Sequence, residues 1–474
     1  FRLRQVLHDH VSRAIERSSA TPESQCEVLS LHFFHAGRHD KAYIYSLLAG
    51  ERAVAKYAHG EAIEFYARAA QAGGNADAEP SALARVYEKL ADSRWLVGLT
   101  GEAAEAYALA RRNLRGDPVA IAGIIEKEAR IDQRRRNHPV AMRRISRGLH
   151  GLEGLTGTAA DIARSQLARR YADSRFRQGR LDDAFHWAQL AARYAEESVD
   201  KTTLAAAYEV LNHVYAGSGR EEPYPYGRLA LQAYTELGDL RHQGWCLNNL
   251  AAQDVTAGRW NESLADFRRA ADLFRRIGDT AAEGNALYNQ AEILVRQRRY
   301  AEAQALLPDV LRIARAVEDE ELVALAERER ARALAGSGAL DDALALLSGA
   351  RARFEALEEV DEVVSTDLVL AELLQDGGRS QDAGDALATI DVEHRSATHQ
   401  RLVGRDHVVG GRLDAARTAF ATGLELAERD GDLLEQALVL VGLAQLDESQ
   451  GAGEDPAGRR AEEALASLGV VPPG

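Results

Sequence analysis

Residues able to do chemistry are sparse in this chain, and the most suggestive are two histidines in LHFFHAG. His32 and His35 stand one helical turn apart, a spacing that lets two imidazoles share a metal ion. No third ligand accompanies them in the sequence, so they read as packing groups at a turn. His8 and His10 flank Asp9, but residues two apart on a helix point to different faces. The carboxylate pairs Asp182/Asp183 and Asp341/Asp342 fall where helices start; there negative charge complements the helix dipole. The chain holds no GxxxxGK[ST] phosphate loop, no GxGxxG, no CxxC, no HExxH and no GxSxG. No acid, base, nucleophile and metal-ligand set converges, so no catalytic residue, metal or cofactor is expected in this chain.

Cations do gather at one place, at Arg130, Arg134, Arg135, Arg136, Arg143, Arg144 and Arg147. Two readings stand: a solvated helix face and turn, which we favour, or a patch for a phosphate or acidic group. Charge is uneven along the chain. Residues 1–300 carry 42 Lys and Arg against 38 Asp and Glu, whereas residues 301–474 carry 16 against 35. The acidic last third argues against nucleic acid wrapping the whole length.

The elements that would position these residues follow from a repeat. A small residue after a glycine-type turn recurs at Ala184, Ser263, Ala303, Ala343 and Ala383, in steps of 40 once the irregular position 224 is counted, with one step of 39. A second small residue keeps pace 12 positions earlier, at Ala172, Ala251, Ala291, Ala331 and Ala371. Two small residues at fixed offsets let two helices cross closely. Within one unit, Leu247, Leu250, Ala251 and Asp254 form one helical stripe, Gly258 and Arg259 break it, and Ser263, Leu264, Phe267, Ala270 and Phe274 form the next. Glycine ends the first helix in the left-handed conformation, and an Asp or Asn such as Asn261 is expected to cap the second.

The turn grammar repeats as GRHDKA (37–42), HGEA (59–62), GEAA (101–104), GRLDDA (179–184), RRYAEA (298–303), GALDDA (338–343), GRSQDA (378–383) and GRLDAA (411–416). It resembles the tetratricopeptide pattern, lengthened by about six residues per unit. The expected fold is all-α, an α-α superhelix of about eleven helical hairpins with a period near 40. The sixth hairpin departs from it, with Asn212 and Tyr224 where small residues are due and Pro223 and Pro225 near a helix start. It is either a drifted repeat or a bend of the solenoid near 219–226.

In such a stack the first helix of each hairpin lines a groove. Counting 6, 9, 10 and 13 residues back from the turn selects Arg169, Arg170 and Asp173; Glu209 and His213; Trp245, Asn248 and Asn249; Asn285, Tyr288, Asn289 and Glu292; then Arg328, Glu329 and Arg332. Asparagine amides both donate to and accept from a peptide backbone. Two readings stand for Asn249 and Asn289, one unit apart: they only solvate the groove, which we favour, or they clamp an extended segment with Trp245 and Tyr288 as anchors.

Composition agrees with a helical stack: 46% of residues are hydrophobic, 28% are charged, and only 10 are Pro. Neither a signal peptide nor an apolar run of membrane-spanning length is seen. Cys26 and Cys246 read as reduced and buried, which suits a cytoplasmic protein. The chain opens on Phe1, not Met, and is read as a fragment of something longer.

The segment EVLSLHFFHAGRHDKAYIYSLLAGERAVAKYAHGEAIEFYARAAQAG (27–73), together with LNNLAAQDVTAGRWNESLADF, AEILVRQRRYAEAQALL and the terminal LASLGVV, resembles the repeat region of actinobacterial-type signalling proteins. Those join an adenylate/guanylate cyclase domain and an AAA/STAND-type ATPase to a long repeat arm. FRLRQVLHDHVSRAIERS resembles the last helix of the winged-helix segment before the repeats. The resemblance implies three parts: a helical junction at 1–24, a solenoid at 25–470 and a tail at 471–474. It also implies that the cyclase and ATPase residues lie before Phe1. The function it implies is a sensor or partner-binding arm that gates the upstream ATPase or cyclase module of the same polypeptide. The expected partner is a protein or peptide; no membrane is expected, and nucleic acid is disfavoured. The alternatives are the repeat arm of a DNA-binding transcription regulator and an enzyme with an unrecognised site.

Overall fold

The computed structural model describes residues 2–217, 225–391, 395–450 and 456–472. Among these residues every regular element is helical. The chain divides into two compact units, Phe1–Ala233 and Tyr234–Gly474. The first holds α1 (Arg2–Ser18), a 3-10 turn (Pro22–Gln25), α2 (Cys26–His35), α3 (His39–Ala55), α4 (His59–Asn75), α5 (Pro80–Leu96), α6 (Thr100–Asn113), α7 (Pro118–Arg134), α8 (His138–Gly151), α9 (Thr158–Arg177), α10 (Leu181–Ser198) and α11 (Lys201–Ala216). Helix α12 (Tyr226–Leu237) spans the division. The second unit holds α13 (Leu240–Thr256), α14 (Trp260–Ile277), α15 (Thr280–Arg296), α16 (Tyr300–Ala316), α17 (Glu320–Gly336), α18 (Leu340–Ala356), α19 (Val360–Asp376), α20 (Ser380–Ala388), α21 (Ala397–Val409), α22 (Leu413–Asp430), α23 (Leu433–Ser449) and α24 (Pro456–Ser467). No described helix is long and apolar enough to cross a membrane.

From α3 to α24 the described helices fall into eleven consecutive pairs, the arrangement of helical hairpins that the period implied. Every small residue of the repeat is fully buried: Ala172, Ala251, Ala291, Ala331 and Ala371 on first helices, and Ala184, Ser263, Ala303, Ala343 and Ala383 on second helices. The same 12-residue offset continues where the sequence period was obscured. Ala91/Ala103 and Ala129/Ala141 are buried pairs, and Gly50 precedes Ala62 by the same step. A methyl group added at Gly50 would sit 2.5 Å from the Tyr66 ring, so nothing larger fits. Helix α3 carries both Ala42, a second-helix position, and Gly50, a first-helix position. It packs as second helix to α2 and first helix to α4, which is why two turn motifs there lie only about half a repeat apart.

The turns differ from expectation in two respects. Gly258 takes φ 76°, but the equivalent Arg298 (φ 59°) and the next turn's Glu318 (φ 58°) hold the left-handed region without glycine, at about 1–2 kcal/mol each. The capping carboxylates start the first helices, not the second. Asp239, Asp319 and Asp432 accept from the backbone N–H of His242, Leu322 and Glu435 at 2.9–3.1 Å. Helix α14 has Arg259 at its N-cap and no side-chain cap. Asn261 lies inside the helix, and its Oδ1 accepts instead from Gln297 Nε2 at 3.3 Å.

At the irregular sixth hairpin, Asn212 is buried where other units hold alanine, and its Oδ1 has no hydrogen-bond partner among the described residues. Tyr224 and most of the turn expected to bend the solenoid, 219–226, lie outside the described residues. In the second unit the chain's last turns return to its first hairpins. Gln297 Nε2 donates to the Leu468 carbonyl at 2.9 Å, and the Val471 N–H donates to the Gln297 carbonyl at 3.0 Å.

Ala251→Leu or Ala343→Leu should destabilise the protein by about 1–3 kcal/mol through overpacking. Urea denaturation measures it; a variant that unfolds like the parent removes the close-crossing explanation.

Candidate partner-binding face

The first helices α13, α15 and α17 place the selected residues of the second unit. Trp245 is 38% exposed, and its ring meets Phe274 edge-on at 5.2 Å. Asn249 and Asn285 are exposed, while Asn248 and Asn289 are half-buried. Asn289 Nδ2 donates to Asn248 Oδ1 at 3.2 Å, and Asn285 Nδ2 to the Ala281 carbonyl. Two amides one unit apart therefore meet, but the pair is Asn289 with Asn248. Asn249 is left facing solvent. Tyr288 is buried, and burial, with Glu292 and Glu329 beside it, raises its hydroxyl pKa well above the usual value. It packs as core; Trp245 is the aromatic that offers surface.

Farther along, polar residues become a buried charge network. Glu292 accepts from Arg296 at 2.7 Å. Arg328 bonds Glu362 at 2.5 Å and lies over the Phe354 ring. Glu329, almost fully buried, is approached by Arg332 at 3.4 Å. The sequence count stopped at Arg332, but the next units supply its partners. Glu372 stands 3.8 Å from Arg332 and 2.8 Å from Arg401; Arg401 pairs with Glu435 at 2.7 Å, and Arg405 with Asp376 at 2.7 Å. Six residues before successive turns the chain reads Glu292, Arg332, Glu372, Arg405, alternating in sign. That register was the available signal. Burial works against the Glu372 carboxylate, but Arg401 and Arg332 outweigh it and hold its pKa down at about 2.

These helices border a cavity of about 570 Å³. Arg296, Arg298, Arg332, Arg401 and Arg405 supply its charged wall, with Glu372 and Asp376. Leu434, Leu438, Val441, Leu465 and Val470 supply an apolar one. The cavity is thus lined by fixed charges and by apolar groups together.

In the first unit, Arg170 bonds Glu126 at 2.5 Å and Asp173 bonds Arg177 at 3.1 Å. The His213 ring lies 4.6 Å from Phe176; Arg169 and Glu209 also have partners. His32 and His35 gain a neighbour that the sequence hid. His8 of α1 places Nδ1 3.0 Å from His32 Nδ1 and its ring 5.0 Å from that of His35. Among the described residues, no group of three His, Cys, Asp or Glu is placed to hold a metal ion. Cys26 and Cys246 are both buried, and neither is in a disulfide.

The described residues form an all-α stack of helical hairpins with a tetratricopeptide-like fold. Residues 245–316, which span the exposed tryptophan and the amides, match the tetratricopeptide repeat family model. No curated protein matches the chain in sequence. Similar solved structures include the apo form of RapI, at 13% identity over 64% of this chain and 94% of that one, with a TM-score of 0.34. A Rap protein complexed with competence and sporulation factor shares 13% identity over 82% of this chain and 98% of that one, TM-score 0.43. The apo quorum sensor NprR from B. thuringiensis shares 12% over 81% and 98%, TM-score 0.46.

Proposed function

We propose that this chain is a protein-interaction scaffold, the regulatory repeat arm of a nucleotide-dependent signalling protein, which holds a peptide segment of its partner on the first-helix face of the second unit. One observation carries the binding surface. Trp245 stands exposed one helical turn from the exposed amide of Asn249, and Asn285 is exposed at the equivalent position of the next unit, an apolar anchor with groups that pair with peptide backbone. The identity of the partner, an ATPase or cyclase module of the same polypeptide, is supported by the resemblance of residues 27–73 and of the terminal LASLGVV. Such an arm works by differential affinity: it shifts the module between states only if it binds one of them more tightly.

The test is calorimetric titration of the chain with the purified ATPase module. Trp245→Ala should weaken binding about 30-fold, as loss of a central aromatic anchor does, and Asn249→Ala/Asn289→Ala should add to it. Binding unchanged in all variants would show that this face is not the recognition site. A parent chain that ignores the module would remove the signalling-arm reading.

A further inference from the structure

The arginine cluster of the first unit is divided by the fold into two groups with different fates. Arg144 is used internally, bonding Asp132 at 2.7 Å and Glu128 at 3.3 Å. Arg143 and Arg147 face solvent. Arg130, Arg134 and Arg136 instead converge on a separate cavity of about 730 Å³ bordered by α5, α7, α9 and the turn after α7.

We propose that this cavity is a binding site for a small anion carrying two or three linked phosphate groups. Five guanidiniums line it, and two are already matched: Arg170 by Glu126 and Arg177 by Asp173. Arg130, Arg134 and Arg136 have no carboxylate within ion-pair distance among the described residues. Two of them share one ring. The guanidinium of Arg130 lies 4.8 Å from the Trp95 centroid, and that of Arg134 lies 5.1 Å from it. The indole quadrupole attracts each cation, yet the two repel one another, and a multivalent anion bridging them relieves that repulsion. Unpartnered nitrogens are also set in place. Arg130 Nε and His138 Nδ1 are buried without a hydrogen-bond partner, and His138 lines the same cavity.

The charge count selects the ligand. Arg134 and Arg136 are uncommitted, and Arg130 meets only the Tyr107 hydroxyl and the more distant field of Glu126; together they call for two to three negative charges close together. A linked phosphate chain supplies them along one short backbone, and its oxygens suit the planar fork of arginine. Single carboxylates would each need their own carbon skeleton in the same space. The site stands on the first unit alone, so its failure leaves the partner face of the second unit untouched.

Calorimetry with inorganic tripolyphosphate and with ATP tests the proposal, using the full chain. Both ligands should bind, and Arg134→Gln/Arg136→Gln should weaken them at least tenfold. Both positions are exposed, so the variant's melting temperature should match the parent's. Arg147→Gln, from the same sequence cluster but outside the cavity, should bind as the parent does. Equal affinities for the two ligands would mean the phosphate chain alone is read, and tighter ATP binding would mean a nucleotide is. Tripolyphosphate binding retained in the double variant overturns the site. Hexaglutamate binding as tightly as tripolyphosphate overturns the phosphate assignment in favour of an acidic peptide. A single-stranded oligonucleotide that outcompetes both phosphates overturns it in favour of nucleic acid.

Discussion

Arg401→Ala should cost the second unit about 3–5 kcal/mol, the usual penalty for removing one partner of a buried ion pair. Arg401 is 4% exposed. Its Nε donates to Glu435 Oε2 at 2.7 Å and its Nη2 to Glu372 Oε1 at 2.8 Å. It thereby ties α21 to both α19 and α23. Removing it leaves two poorly solvated carboxylates facing each other's field, and the loss exceeds that of any exposed pair on this surface. Arg401→Met restores packing but not charge balance, so it should remain destabilised. Adding Glu435→Gln to it should recover part of the loss. Urea denaturation of the three variants separates these cases, and a parent-like midpoint for Arg401→Ala would show that the network does not hold the unit together.

The same network sets an acid limit. Glu372 titrates at about 2 in the folded chain, below the value near 4.3 of an unfolded glutamate. The group therefore contributes stability above the unfolded pKa, and that contribution is lost as pH falls from about 5 towards 2. Glu372→Gln should flatten the stability profile across this window. A variant profile as steep as the parent's would place the acid sensitivity elsewhere.

Gln297→Leu should release the end of the chain from the second unit at a cost of about 2–3 kcal/mol. Gln297 is fully buried. Its amide donates to the Leu468 carbonyl and to Asn261 Oδ1, and its Oε1 accepts from Arg299 at 3.1 Å. Leucine fills similar space but leaves the Leu468 carbonyl unpaired beside buried apolar groups. The effect should be local first, because regions open in separate cooperative units. Backbone amides of α24 and of 468–471 should exchange with solvent about 30- to 150-fold faster, while those of α17 and α18 keep their rates. Unchanged exchange in α24 would mean that apolar packing of Leu468 and Val470 alone secures it.

The repeat was legible because close helix crossing demands small side chains, and Ala172, Ala251, Ala291 and their second-helix mates declare that demand at constant offsets. The early hairpins were less legible because α3 serves two neighbours, which shortens the apparent period. The count back from each turn picks positions but not their burial. Trp245 and Asn285 stand 13 residues before their turns and are exposed, whereas Tyr288 stands 10 before its turn and is buried. Residues three apart share one helical stripe, so the sequence pattern cannot separate them; only the neighbouring helices decide which is covered. The arginine cluster shows the same limit. Arg134 and Arg144 look alike in sequence, yet one borders a cavity and the other is spent on Asp132 and Glu128.

By itself the sequence determined the helices, their left-handed turns and the alternation of first and second helices. Propensity, capping and side-chain size act over a few residues and repeat with the chain. The tertiary structure alone decided which charges are partners and which are free. Arg401 meets Glu372 and Glu435, 29 and 34 residues away in the chain, and Gln297 meets Leu468 across 171. Coulomb and hydrogen-bond energies depend on distances of a few ångströms between segments, and those distances arise only when the hairpins stack.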